Sequence, residues 1–157
     1  MWQDDMTLML RYLINDVSGE AYTDSRLQKT IVIAAKYVNV ELFENKYDIS
    51  LLGSGNIVPD PSSDAAFTNL TILKSACLIS TGEAKIAAGQ GIAIKDGSSS
   101  LDLKGVASSK KNIMDSYCSA YNDAKLQFTL GSYGNSAPGE AVLGPIKYWM
   151  SEERRVL

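Results

Sequence analysis

Apolar residues recur at intervals of three and four in four separate stretches, the period of a helix that buries one face. The first stretch runs from Asp4 to about Val17 and carries Met6, Met9, Leu10, Leu13, Ile14 and Val17. Asp4 and Asp5 suit a helix N-terminus, where partial positive charge collects, and Gly19 follows as a stop signal. The second starts at Thr23 or Asp24, either of which can cap free backbone N–H groups. Leu27, Ile31, Ala34, Ala35 and Val38 form its buried stripe, and Ile33 and Tyr37 widen it, which predicts a central helix. Val38, Val40, Leu42 and Phe43 raise strand propensity and leave its end open.

The third helix is capped by Ser62, Ser63 or Asp64 and runs to about Ala87 with Phe67, Leu70, Leu73, Ala76, Cys77, Ile79 and Ile86. Gly82 weakens it by about 1 kcal/mol against Ala, and Gly89 is its expected C-cap. The fourth, from about Ala107 to Leu130, repeats Ile113, Met114, Tyr117, Cys118, Tyr121, Ala124 and Phe128, and Gly131 is expected to end it.

Strand patterns fill the gaps. Tyr47 to Leu52 alternates, and Gly53-Ser54-Gly55 with Pro59-Asp60-Pro61 marks a long loop after it. Gly91 to Lys95 and Ser100 to Lys104 read as two short strands joined through Asp96-Gly97-Ser98-Ser99. Helices three and four flank that hairpin and should pair antiparallel, with Cys77 and Cys118 able to face each other. The expected fold is mainly α (α+β): a four-helix bundle-like domain over 1–131 with a small β-hairpin and short strands, then an extended C-terminal tail, 132–157.

Composition narrows the chemistry. The 157 residues suffice for one domain with a sizeable core, and 45% apolar with 21% charged residues is ordinary for a globular chain. A net charge of −3, with no cluster of Lys and Arg, argues against sequence-specific or non-specific nucleic-acid binding. The acidic start, Met1-Trp2-Gln3-Asp4-Asp5, is unlike a secretory signal, and no apolar run nears the ~20 residues of a membrane span. A soluble chain made in a cytoplasm is the expectation.

There is no histidine, which removes Ser-His and Cys-His nucleophiles and the commonest zinc ligand. Two cysteines cannot build a structural zinc site, and small buried reduced thiols are the expected state in a cytoplasm. Ser108-Ser109-Lys110-Lys111 contains Ser-x-x-Lys without the companion motifs of the serine β-lactamases. Gly53-Ser54-Gly55 and Gly89-Gln90-Gly91 lack the context of a phosphate-binding loop. Glu41, Glu44, Asp48, Asp64, Glu83, Asp115 and Asp123 follow no motif spacing and read as solvated surface. Lys104, Lys110 and Lys111 read as solvated charge or as a contact to an acidic partner. No catalytic residue, metal site or cofactor is predicted.

The tail is the exception to an otherwise ordinary domain. Val142, Leu143, Pro145, Ile146, Tyr148, Trp149 and Met150 make it too apolar for a disordered end, and Glu152, Glu153, Arg154 and Arg155 follow. Either it packs back on its own domain, as a strand beside Tyr47 to Leu52, or it docks on a partner, since Trp, Tyr and Arg are common interface anchors. The partner-binding candidates are Val142, Leu143, Ile146, Tyr148, Trp149, Arg154 and Arg155.

The order of elements resembles that of the head–tail connector (adaptor) proteins of tailed bacteriophages. Two stretches carry the likeness: Asp24-Ser25-Arg26-Leu27-Gln28-Lys29-Thr30-Ile31-Val32-Ile33-Ala34-Ala35, and Leu73 to Cys77 through Gly89 to Ile92 to Leu101-Asp102-Leu103-Lys104-Gly105. It covers 1–131 and has no signature motif. The resemblance implies a structural virion protein, assembled in the host cytoplasm, forming a ring (commonly dodecameric) in the neck between head and tail. It also implies the portal protein and tail or neck proteins as partners, with 142–155 as the portal-binding arm and the loops at 53–62 and 89–100 facing neighbours. A net-acidic ring would let DNA pass without holding it. The alternative is a small helical protein-binding or regulatory module outside a virion.

Overall fold

The computed structural model describes residues 1–51, 55–93 and 100–134, with side chains over 1–51, 55–89 and 105–131. It is mainly helical with one two-stranded antiparallel ribbon, as the sequence predicts. Helices α1 (Trp2–Leu13) and α2 (Asp24–Leu42) come first, then strands β1 (Asp48–Ser50) and β2 (Asn56–Val58). A single 3-10 turn, Pro61–Ser63, leads into the long helices α3 (Ala65–Ala93) and α4 (Ser100–Gly134).

Helix α1 stops at Leu13, well short of Val17 and Gly19. Asn15 adopts a left-handed φ of 58°, and the Asp16 and Asn15 N–H groups turn back to the Arg11 and Tyr12 carbonyls at 2.9 and 3.3 Å. This is a Schellman-type closure with Asn in the usual glycine place. Helix α2 opens where expected: the Thr23 hydroxyl accepts the Arg26 N–H at 3.4 Å. Asp64 is the residue that caps α3, accepting the Phe67 N–H at 3.0 Å.

The core forms where α1, α2 and the first half of α3 meet. Trp2, Met6, Leu10, Leu27, Ile31, Val38, Ile57, Phe67 and Leu70 are buried together. The expected α2 stripe is buried throughout, but Ile33 and Tyr37 are exposed. They line the solvent side of α2, so they form an outer face rather than a wider core. Met9, Val17, Ile86 and Ile113 are likewise exposed.

Where the expected hairpin at 91–104 is described it is helix: 91–93 continue α3 and 100–104 open α4, while 94–99, with the expected turn at 96–99, lie outside the described residues. Short apolar runs do not distinguish strand from helix by period alone. An isolated hairpin is marginal, whereas each residue added to an existing helix gains a backbone hydrogen bond. For the same reason Gly89 and Gly131 lie inside helices and cap nothing. The ribbon that does form uses part of the expected strand and a segment read as loop, in the register Asp48↔Val58, Ile49↔Ile57, Ser50↔Asn56. Gly55, just before β2, has a φ of +79°, and a Cβ there would lie 2.7 Å from Val32 Cγ2. Both facts demand glycine.

Helices α3 and α4 pack on each other more extensively than any other two elements. Cys77 and Cys118 meet across them in a disulfide with Cα atoms 4.8 Å apart. That corrects the expectation of small buried reduced thiols, while the antiparallel register brings the two positions opposite each other as their spacing allows.

Candidate interaction surface

All seven residues expected to bind a partner, Val142, Leu143, Ile146, Tyr148, Trp149, Arg154 and Arg155, lie outside the described residues, as does the expected strand pairing of the tail. The loops expected at 53–62 and 89–100 fall partly outside them; within them lie β2 and the start of the 3-10 turn, the end of α3 and the first residue of α4. Helix α4 continues to Gly134 and takes in the first three residues of the expected arm.

The carboxylates expected to be solvated are in part structural. Glu41 on α2 accepts Tyr121 Oη at 3.0 Å and Lys125 Nζ at 2.7 Å, both from α4. Lys125 holds the Glu41 carboxyl below its usual range, and burial, aided by the Glu41 charge, raises the Tyr121 hydroxyl. Asp64 accepts Lys46 Nζ at 2.7 Å and Tyr47 Oη at 2.8 Å. Burial works to raise the Asp64 pKa, but Lys46, the Phe67 N–H and Tyr47 together outweigh it and the group titrates low. Glu83 on α3 accepts from Tyr22 and from Lys110 of α4. Lys110 is therefore an internal tie, Lys111 is exposed, and the Lys104 side chain lies outside the described set.

Arg11 carried no signal in the sequence yet joins more groups than any other described side chain. It donates to Asp16 Oδ2 at 2.8 Å, to Asp24 Oδ1 at 2.6 Å and to the Asp16 and Tyr22 carbonyls. The α1–α2 connection folds around its guanidinium, whose planar fork can meet several acceptors at once. Asn39 is a second unforeseen residue. Buried on α2, it donates Nδ2 to the Tyr47 carbonyl at 2.7 Å and accepts the Tyr47 N–H at 3.0 Å, like a strand partner placed ahead of β1. Each of these polar groups joins two elements, which is the work of a scaffold.

Among the described residues no group of three or more Cys, Asp or Glu side chains is placed to hold a metal. Ser108 and Lys111 sit exposed on α4. No helix of the described residues is long and apolar enough to cross a membrane.

What remains uncommitted is apolar surface. The outer flank of α2 carries Ile33, Tyr37 and Val40, exposed by 44%, 52% and 61%. With Leu51 they floor an open groove of about 460 Å³, edged by Lys36 and Glu41. Lys29 flanks the neighbouring depression against Val32 and Gly55. Lys74 lies over the Tyr37 ring at 5.3 Å and adds positive charge to the same edge. A groove with apolar floor and basic rim binds protein surface more readily than a small polar substrate. The sequence held a signal for it, since Lys29, Ile33, Tyr37 and Val40 share helical spacing, but Ile33 and Tyr37 read as a widening of the core and Val40 as strand propensity at the helix end.

These features define a mainly helical scaffold with an accessible apolar flank on α2. Comparison with known proteins finds no matching family model, no matching curated protein and no matching solved structure.

Proposed function

We propose that the protein is a non-enzymatic assembly protein, a head–tail connector of a tailed phage that forms a ring between portal and tail. The observation that supports an assembly role is where its side chains are spent. Partly buried charges tie helices together, while large apolar residues stay outside on α2. Weak contacts of that kind become effective when a closed ring multiplies them. The phage assignment rests on the sequence resemblance, with the arm at 142–155 as the portal contact.

Co-sedimentation with the portal ring, scored by particle mass and negative-stain imaging, tests it. A saturating, many-copy complex is expected. A chain ending after Gly134 should keep its helical circular dichroism and lose portal docking. Loss of helical signal on that truncation would place the tail in the core and sink the docking role. The α2 groove also favours a second reading, a small helical module that binds one protein partner stoichiometrically. A discrete one-to-one complex without a ring would support that reading instead.

A further inference from the structure

We infer that the outer face of α2 receives the outer face of α1 from a second copy of this chain. This deepens the assembly reading by naming the copy-to-copy contact, and it rests on that reading only for the closure of a ring.

The two faces are complementary. On α1, Asp5, Leu8 and Tyr12 follow one another at helical spacing, and all three are exposed. Asp4 lies beside Leu8 along the same cleft and is exposed as well. This stripe is therefore acidic at its start and apolar along its length. On α2, Lys29, Ile33 and Lys36 with Tyr37 and Val40 form a stripe of the same pitch. It is basic where the first is acidic and apolar where the first is apolar. Among the described residues no ion pair engages Asp4, Asp5, Lys29 or Lys36. Glu41, the acidic group at the far end of the α2 face, is already held by Lys125 and Tyr121.

The two faces line separate clefts with no residue in common. Leu8 shares its cleft with Asp24 and Gln28, whereas the α2 groove opens toward Leu51. One copy can then offer its α1 face while receiving another on α2. Such a contact is heterologous: it joins unlike surfaces and propagates from copy to copy until the rotation closes. Opposite charges on the two stripes set its direction, because α1 against α1 would oppose carboxylates and α2 against α2 would oppose lysines.

The test uses the full-length chain with its native disulfide intact. Copies carrying Tyr12→Cys are mixed with copies carrying Val40→Cys and treated with a short thiol cross-linker over rising concentration. The expected product is the mixed dimer, in excess over either homodimer. Homodimers in excess, or no mixed product up to the solubility limit, would overturn the inference. So would an intramolecular cross-link in a Val40→Cys, Trp149→Cys chain, which would show the tail occupying the groove.

Charge reversal supplies a second readout. Lys36→Glu or Asp5→Lys alone should weaken self-association about fivefold, and mixing the two variants should restore it. Restoration would not follow if either change merely disturbed folding. Cross-linking that fails while portal co-sedimentation succeeds removes this contact and leaves the connector reading standing. Cross-linking that succeeds without portal binding does the reverse.

Discussion

Around Phe67 and Ala76 the α3–α4 pair is one wall of an apolar core, whereas beyond Ser80 the same two helices run on with no buried residue among those whose side chains are described. The base is held by area removed from water: Phe67 packs against Tyr47 and Phe43, with ring centroids 4.0 and 5.2 Å apart. The distal part is held by links. The disulfide sits at its root, and Tyr22, Glu83 and Lys110 bridge three elements one to two turns further on. A helical pair that outruns its core has little apolar surface to bury, so covalent and polar contacts take over.

The largest test removes the disulfide. The bridge spans 41 residues of sequence, so reduction or Cys77→Ser should destabilise by about 4 kcal/mol if unfolded-chain entropy dominates. Denaturant midpoints with and without reductant measure it. Hydrogen exchange should quicken first in 83–93 and 105–113, and equal quickening at Leu27 to Val38 would erase the distinction between the regions.

A change in the base follows in size. Asn39→Ala strands the Tyr47 N–H and carbonyl in a buried place, at a cost of about 2 kcal/mol. Urea denaturation reads the loss, and Asn39→Asp should fail to rescue it because one donor is still missing. Gly82→Ala acts in the opposite direction and in the distal part. Nothing lies within 4 Å of an added Cβ, so the substitution should stabilise by about 1 kcal/mol, visible as a raised Tm. A neutral result would mean that helix propensity does not limit this segment.

The smallest expected effect is electrostatic. Lys125, then Tyr121, lowers the Glu41 pKa in the folded chain. Its contribution is therefore present above about pH 4.5 and fades as pH falls through the lower folded value. Glu41→Gln should flatten the acid limb of stability below about pH 4.5, followed by urea midpoints. An unchanged limb would assign acid sensitivity to Asp64, which Lys46, the Phe67 N–H and Tyr47 also hold low against its burial.

Much of the fold was legible because helical period is a property of neighbouring residues. Four helices and the Leu27–Val38 stripe follow from spacing, and cap chemistry narrows the starts of α2 and α3 to Thr23 or Asp24 and to Ser62, Ser63 or Asp64, of which Thr23 and Asp64 are used. The ends were not legible where glycine was read as a stop. Gly89 and Gly131 are carried through because a helix already formed extends cheaply when it packs on a partner.

Whether Ile33 and Tyr37 join the buried stripe of α2 was not legible either. Ile31 and Ile33 are the same residue type two positions apart, and only the placement of α1 and α3 buries one and exposes the other. Sequence alone determined the helical class, the lack of histidine chemistry and the apolar character of 142–150. Tertiary structure decided the Cys77–Cys118 bond, the Arg11 junction and the exposed α2 flank. Each depends on groups far apart in the chain meeting in space, which no local pattern records.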